Sequence, residues 1–354
     1  MVLVALATAG GACKKKKGAG AGAGGSAAQV AALAAVPADA TVVVGIDVGQ
    51  LAQAQVVARA VDQMLIRDPD LAARLARLAK DCGVDVTHQV KSVHLALGPR
   101  PSKGPAAPAS LLVATGQIAE AALTQCLQAG VGSGGAQLTV RDVGGRSIYK
   151  LTEGTRVLHL AFGQADTVVI GGDEAWVLAA VGDGPKVEAS KSLAPLLATV
   201  DRSAAIWVVA TMDAELGQAL TRLTKGKVAA APQALSGALV TKSGLAGSIS
   251  FFMASTGDAD ALVGFATDEL QLLALAAQSM GLGRVVAKVK VERKGAEAQF
   301  RVTLTDSEVR QVLSAVDRGQ GSGQIPHPAD AGPPEAGGSD AGTADAGTAD
   351  APAD

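Results

Sequence analysis

The side chains that could bind a metal or attack a substrate are few in this sequence. Its four histidines, at positions 88, 94, 159 and 327, are scattered, and the only cluster of metal-binding residue types is Cys82, His88 and His94. Their spacing matches neither a zinc-finger pair nor an i, i+4 pair on a helix. His94 is predicted on the polar, exposed face of a strand. We therefore predict no metal site and no cofactor.

A possible nucleophile motif occurs in an unsuitable setting. Ser147-Ile148-Tyr149-Lys150 has the Ser-x-x-Lys spacing of penicillin-recognising enzymes, and Lys242-Ser243-Gly244 is similar to their Lys-Thr-Gly motif. Those enzymes place the serine at a helix start, whereas here it is predicted within a strand and the second motif in a hairpin turn. The glycine-rich run 130–135 lacks the Lys-Ser or Lys-Thr pair that binds a nucleotide phosphate. We assign no catalytic residue and predict that the chain is not an enzyme.

Composition excludes further partner classes. The 31 Lys and Arg nearly balance the 33 Asp and Glu, giving a net charge of -2, so no positive field attracts nucleic acid. Apolar residues make up 48% of the chain and aromatic residues only 2%, so few rings are available to stack on bases or sugars. After the amino terminus, no segment reaches the ~18 uninterrupted apolar residues that span a bilayer.

The amino terminus has the pattern of an exported protein. Val2–Ala12 is a short apolar run of small and branched residues that ends in Gly10-Gly11-Ala12-Cys13. It resembles the signal peptide of bacterial lipoproteins. The resemblance implies that residues 1–12 are removed, that Cys13 is the lipid attachment site, and that the protein is anchored in the cell envelope facing the periplasm or the cell surface. The alternative is an unprocessed apolar terminus on a cytosolic protein.

Both ends of the chain are predicted to lie outside the folded domain. Residues 13–35 include Lys14 to Lys17 and a Gly-Ala run, which indicates a tether with lysines at the lipid headgroups, each contributing ~1 kcal/mol near an anionic surface. Residues 318–354 are rich in Ala, Gly, Pro and Asp, which predicts a disordered acidic tail.

If Cys13 is acylated, Cys82 and Cys126 are the only thiols left for the folded part. In an oxidising compartment they could form a disulfide that stabilises the fold by ~4 kcal/mol, provided that their Cα atoms come within about 7 Å. The alternative is two buried free cysteines, and the sequence does not distinguish the two.

Residues 36–317 alternate between period 2 and period 3.6, which is typical of an α+β fold with antiparallel sheets covered by helices. The clearest hairpin is predicted to join 285–293 with 297–304 through Lys294-Gly295. Thr305 and Glu308 predict a capping box at the start of the last helix, and Asp173 predicts another helix start. A long amphipathic helix over 257–281 is predicted to bury Leu262, Phe265, Leu272, Leu273, Ala276 and Met280.

The order of predicted elements suggests two pseudo-repeats, 36–185 and 186–317, each with the order strand, helix, hairpin, helix, hairpin. The opening Val36-Pro37-Ala38-Asp39-Ala40, followed by a strand, resembles uncharacterised exported bacterial proteins. That resemblance implies a fold type and an envelope location, without an activity.

These features predict a non-enzymatic envelope lipoprotein whose domain is a binding or structural module. Its partners would be the membrane, through the lipid anchor, and an unknown envelope protein. One alternative is a periplasmic carrier of an apolar ligand or lipid, which requires a cavity between the sheet and its helices. A second alternative is an enzyme whose site the sequence does not reveal.

Overall fold

A computed structural model describes residues 32–321, except 84, 102–107, 135, 164–165 and 225. The chain divides into two compact units, one up to Val312 and one from Leu313 onwards. Of the second unit, the structure describes only the end of the last helix, up to Gly321. The described strands are β1 Val42–Asp47, β2 Val90–Leu97, β3 Ser110–Gly116, β4 Gln137–Val143, β5 Arg146–Glu153, β6 Arg156–Phe162, β7 Thr167–Gly171, β8 Ile206–Thr211, β9 Ala234–Val240, β10 Leu245–Phe252, β11 Lys290–Lys294 and β12 Glu297–Leu304.

The described helices are α1 Val48–Gln53, α2 Gln55–Arg67, α3 Pro69–Cys82, α4 Val86–Gln89, α5 Glu120–Gly134, α6 Glu174–Val181, α7 Ala194–Thr199, α8 Ala214–Leu223, α9 Thr256–Gln278, α10 Gly283–Val286 and α11 Asp306–Gly321. The fold is therefore mixed α and β, as predicted.

Within the described residues, twelve strands form one sheet in the order β11-β12-β10-β9-β8-β1-β2-β3-β7-β6-β5-β4, and every neighbouring pair is antiparallel. Because side chains alternate along each strand, the sheet has two faces that the register defines. We call the face that carries Val43, Val169 and Trp207 face 1, and the face that carries Ile46 and Val208 face 2.

In the half of the sheet from β1 to β4, helices cover both faces. On face 1, the strands pack against α6, α7 and the segment that precedes β1, with Val43, Val113 and Val169 fully buried. On face 2, they pack against α1, α2 and α5. This part of the molecule therefore has two apolar cores with the sheet between them.

The half from β8 to β11 is covered less completely. On face 2, α9 packs over Phe251 and Ala298, and α10 and α11 pack over Leu304. On face 1, the strands carry polar side chains such as Ser248 and Arg301, which are exposed. Polar residues on an open sheet face need no covering layer.

Local capping signals act as predicted. The Thr305 backbone N–H donates to Glu308 Oε2 at 2.8 Å, and the Glu308 N–H donates to Thr305 Oγ1 at 3.4 Å, which confirms the capping box of α11. Lys288 donates to the same carboxylate, and these hydrogen bonds lower the pKa of Glu308 to about 2. The Asp173 carboxylate accepts from the Trp176 N–H and caps α6.

Two element boundaries differ from the prediction. The predicted strand over 285–293 begins only at Lys290, because Gly281, with a φ of 75°, turns the chain after α9 and Val285 joins the short helix α10. Residues 49–66, whose apolar spacing predicts one helix, instead form two helices, α1 and α2, which meet at Ala54 in an extended conformation.

The predicted domain limits also need correction. Ala32, Leu33 and Ala35, assigned to the tether, are buried in the face 1 core. Leu193 and Leu197, assigned to the second pseudo-repeat, lie in that same core with the first. Helix α11 extends to Gly321, past the predicted start of the tail at 318. Burial against an apolar face, which the sequence pattern does not locate, accounts for the first two differences.

None of the helices in the described ranges is both long enough and apolar enough to cross a membrane.

Candidate functional site

An apolar groove lies on face 2, in the part of the sheet that the helices leave uncovered. It is lined by the side chains of Ile206, Val208, Leu239, Ile249, Val289, Phe300 and Val302, and its volume is about 330 Å³. These side chains are half-buried, so the groove opens to solvent and is not an enclosed cavity. The volume falls at the lower end of the range for small-molecule sites, ~300–1,000 Å³.

Four neighbouring strands, β8, β9, β10 and β12, form the floor of this groove, and their register decides which residues lie side by side. Gly237 lies beside Val208 on one side and Ile249 on the other, and Gly247 lies beside Leu239 and Val302. A Cβ at Gly247 would touch Leu239 and Val302 at 3.5 Å, an ordinary contact distance. A larger side chain there would therefore occupy the groove without disturbing the strand.

The groove presents only apolar side chains. Trp207, Ser248 and Arg301 also border it, but they alternate with the groove residues along their strands, so their side chains lie on face 1. Among the described residues, no ionisable side chain faces its interior, so the groove is suited to hydrocarbon.

One end of the groove becomes polar. A second cavity of about 220 Å³ shares Leu239 with the groove and is lined further by Gln53, Thr241, Lys242 and Asp306. Lys242 and Asp306 are both exposed. The two cavities therefore lie beside each other at Leu239, and the second adds hydrogen-bonding and charged groups near that end of the groove.

His94 lies on face 1, and the prediction that it is exposed is wrong. Its ring is fully buried and meets the Trp207 ring edge-on, with ring centroids 5.5 Å apart. Both His94 ring nitrogens and Trp207 Nε1 have no hydrogen-bond partner among the described residues. Burial lowers the pKa of His94 to about 4, so the ring is neutral at pH 7.

Gly45 makes room for this pair of rings. It lies directly between His94 and Trp207 in the strand register, and a Cβ there would come within 2.2 Å of Trp207 Cε2. The arrangement therefore holds a neutral, fully buried histidine against Trp207 in the core.

The other residues singled out from sequence do not converge on one site. His88, on α4, lies 2.6 Å from the Asp85 carboxylate through Nδ1 and is exposed. Ser147 and Lys150 lie within β5, and Lys242 to Gly244 lie in the turn between β9 and β10. Strands β8, β1, β2, β3, β7 and β6 separate those two motifs in the sheet. The described residues contain no group of three His, Cys, Asp or Glu side chains that could hold a metal ion.

Cys126, on α5, is disulfide-bonded. Helix α3, which ends at Cys82, packs against α5. The Cys82 side chain lies outside the described residues, as does Cys13. The pairing of Cys82 with Cys126 and the acylation of Cys13 therefore stay predictions.

A polar cluster that sequence reasoning missed lies at the β4 side of face 1. His159 Nε2 is 3.5 Å from Glu174 Oε2, and Glu174 also forms an ion pair with Arg141. Burial is the main cause that lowers the pKa of His159. The cluster joins the first turn of α6 to strands β4 and β6. These residues are far apart in the chain, so only the strand order could have revealed them.

No family model matches the chain, and no curated protein sequence matches it. A solved structure described as crystal form I of TP0453 superposes with a TM-score of 0.42 and 12% sequence identity, over 80% of this chain and 96% of that chain. A score at that level does not define a shared fold.

Proposed function

We propose that this chain is a non-enzymatic cell-envelope lipoprotein whose domain binds a lipid-like amphiphile in the face 2 groove. The observation that carries the proposal is the groove itself, an open channel of about 330 Å³ with only aliphatic and aromatic side chains facing it. Removing such a surface from water is favourable by about 25 cal/mol per Å².

The form of the site favours an amphiphile over a fully apolar molecule. An acyl chain would lie along Ile206, Leu239 and Ile249, and the head would reach the polar end at Thr241 and Lys242. An open groove leaves one side of the chain exposed, which suits a ligand that exchanges with a membrane.

The predicted anchoring of the protein in a membrane is consistent with a lipid-like ligand. An acylated Cys13 would hold the domain, whose described part begins at residue 32, beside a lipid surface. Residues 1–31 lie outside the described part of the chain. The proposed membrane anchoring therefore depends on the resemblance of Gly10-Gly11-Ala12-Cys13 to a lipoprotein signal.

We also propose that the fold arose from two pseudo-repeats. The sheet order is mirrored about the central β1–β8 pair: β1-β2-β3-β7-β6 on one side has the same connections as β8-β9-β10-β12-β11 on the other. The β4–β5 hairpin is extra in the first half. On this interpretation, the groove in the second half corresponds to the part of face 2 that α1, α2 and α5 cover in the first half.

A fluorescence titration of the full chain with cis-parinaric acid tests the binding proposal. We expect saturable binding that Gly247→Val weakens at least about tenfold, because the new side chain fills the groove. The matched control is Ser248→Val, which changes the next residue on the opposite face and should shift the dissociation constant less than about twofold. Absence of saturable binding, or equal binding by both variants, would contradict the proposal.

A further inference from the structure

A polar cavity lies on face 1, on the side of the sheet opposite the apolar groove. Its floor is formed by β9, β10 and β12, and one wall is the end of α7 with the residues that follow it, Val200 and Asp201. Its volume is about 330 Å³, at the lower end of the range for small-molecule sites, ~300–1,000 Å³. The cavity begins where the face 1 core ends, because Ser236 on β9 lies beside the buried Val209 of β8.

The floor of this cavity carries a row of uncharged hydrogen-bonding side chains. Ser236, Ser250 and Gln299 lie side by side in the register of β9, β10 and β12, on strands that are about 5 Å apart. Gln299 Nε2 donates to Ser250 Oγ at 3.3 Å. We call Ser236, Ser250 and Gln299 the face 1 polar row.

Two members of the face 1 polar row are deeply buried. Ser236 is 9% exposed and Ser250 is 6% exposed, although both line the cavity. Among the described residues, the Ser236 hydroxyl has no hydrogen-bond partner. Buried hydroxyls in folded proteins are nearly always hydrogen-bonded. A ligand hydroxyl in this cavity would supply the partner that Ser236 needs.

An aromatic ring completes the lining. Phe252 lies half-buried on face 1, two residues after Ser250 on the same strand. Aromatic residues make up only 2% of the chain, which led us to expect few rings for stacking on sugars, but one of them lies in this cavity. Its ring offers an apolar surface to the C–H face of a sugar.

The charges of the cavity favour a neutral ligand. Among the described residues that line it, Asp201 and Glu297 are carboxylates and Lys294 is the one ammonium group, so no positive excess is present to hold a phosphate or carboxylate. Lys294 also lies directly opposite Glu297 in the register. Asp201 and Lys294 are exposed, and exposed charges add little to the binding of a zwitterion because water screens them.

We propose that the face 1 cavity binds a neutral saccharide of one or two sugar rings, with its hydroxyls on the face 1 polar row and one ring face on Phe252. Serine hydroxyls and the glutamine amide both donate and accept hydrogen bonds, as sugar hydroxyls do. The site is a second ligand site, on the opposite face of the sheet from the proposed lipid groove. Either site can therefore fail without the other.

Saturation-transfer NMR of the full chain tests the ligand class. The probes are maltose, cellobiose and N,N′-diacetylchitobiose, which differ in linkage and in the group at C2. We expect saturable binding of at least one of them, with a dissociation constant of about 1 mM or below. No saturable signal from any of the three up to about 20 mM overturns the proposal. So does binding of the zwitterionic dipeptide Ala-Ala in place of the sugars.

Single substitutions test the position of the site. Ser236→Ala removes only the hydroxyl and should raise the dissociation constant of the bound disaccharide at least about tenfold, without lowering the free energy of unfolding, because that hydroxyl loses no partner within the described residues. Thr303→Val is the matched control, since it removes a hydroxyl from face 1 of β12 outside the cavity. Gly247→Val, which fills the face 2 groove, should leave sugar binding unchanged. Equal effects of Ser236→Ala and Thr303→Val, or loss of sugar binding in Gly247→Val, would overturn the proposal.

Discussion

The two halves of the sheet differ in how their faces are covered, and on the proposed function this difference separates a structural region from a binding region. Between β1 and β4, helices bury an apolar core on each face, and even His94 is enclosed, although Val140 on β4 and Leu158 on β6 are 52% and 46% exposed. Between β8 and β12, face 1 is buried at Trp207 and Val209 of β8 and carries exposed polar side chains such as Ser248 and Arg301 on the outer strands. Face 2 keeps an apolar strip that α9, α10 and α11 leave open. On the proposed function, the open apolar strip of face 2 is the ligand site.

The largest effect is expected from breaking the covered half at Gly45. Gly45→Ala places a Cβ within 2.2 Å of the Trp207 ring, which is held between the strands and α7. We expect the free energy of unfolding to fall by about 3 kcal/mol or more, measured by urea denaturation. Gly247→Ala in the groove is the control, because its Cβ makes ordinary contacts at 3.5 Å. Equal losses of unfolding free energy in the two variants would contradict the difference in packing between the covered half and the groove.

A smaller effect follows from the buried histidine. The pKa of His94 is about 4 in the fold against 6.5 for the unfolded chain, so the unfolded state binds more protons between these values. Stability should fall as the pH falls from about 6.5 to about 4, by roughly 2.5 kcal/mol between pH 7 and pH 4.5.

The matched variant His94→Leu removes this titration and leaves the other groups in place. The difference in unfolding free energy between wild type and variant, measured at both pH values, isolates His94. A difference that does not change with pH would show that the ring is not held neutral.

The smallest effect comes from the same chemical change made in each half. Val169→Thr places a hydroxyl in a fully buried position on face 1 and should cost about 1–3 kcal/mol. Val302→Thr makes the change at a half-buried groove position and should cost less than about 0.5 kcal/mol. If the two variants lowered the melting temperature by similar amounts, the groove would be as inaccessible to solvent as the core.

The sequence predicts local structure better than it predicts which surfaces are covered. The capping box of Thr305 and Glu308 and the Asp173 cap depend on neighbouring residues, and both form as predicted. The alternation of polar and apolar residues along β2 correctly places His94 on the face opposite Val93. It cannot show that helices cover the His94 face as well as the Val93 face. The predicted burial of Leu272, Leu273 and Met280 is also wrong, since these side chains are 62%, 52% and 51% exposed. Ala259 and Ala277 are buried at opposite ends of α9, so the exposed leucines lie on a side of the helix that faces away from the sheet, which periodicity alone does not identify.

The groove could not be predicted from the sequence because its residues come from four strands. Ile206, Leu239, Ile249 and Phe300 become neighbours only through the order β8-β9-β10-β12. Each strand alone has the pattern of an ordinary half-buried strand.

The most direct test of the central claim is to map where an acyl chain contacts the protein. The full chain would be irradiated with a diazirine-bearing fatty acid, and the labelled residues identified by peptide mass spectrometry. We predict labels concentrated on Ile206, Leu239, Ile249 and Phe300 and lost in Gly247→Val. Labels confined to the exposed leucines of α9, which are Leu272, Leu273 and Leu275, or labels spread evenly over the surface, would contradict the proposal that the open part of face 2 is a ligand site.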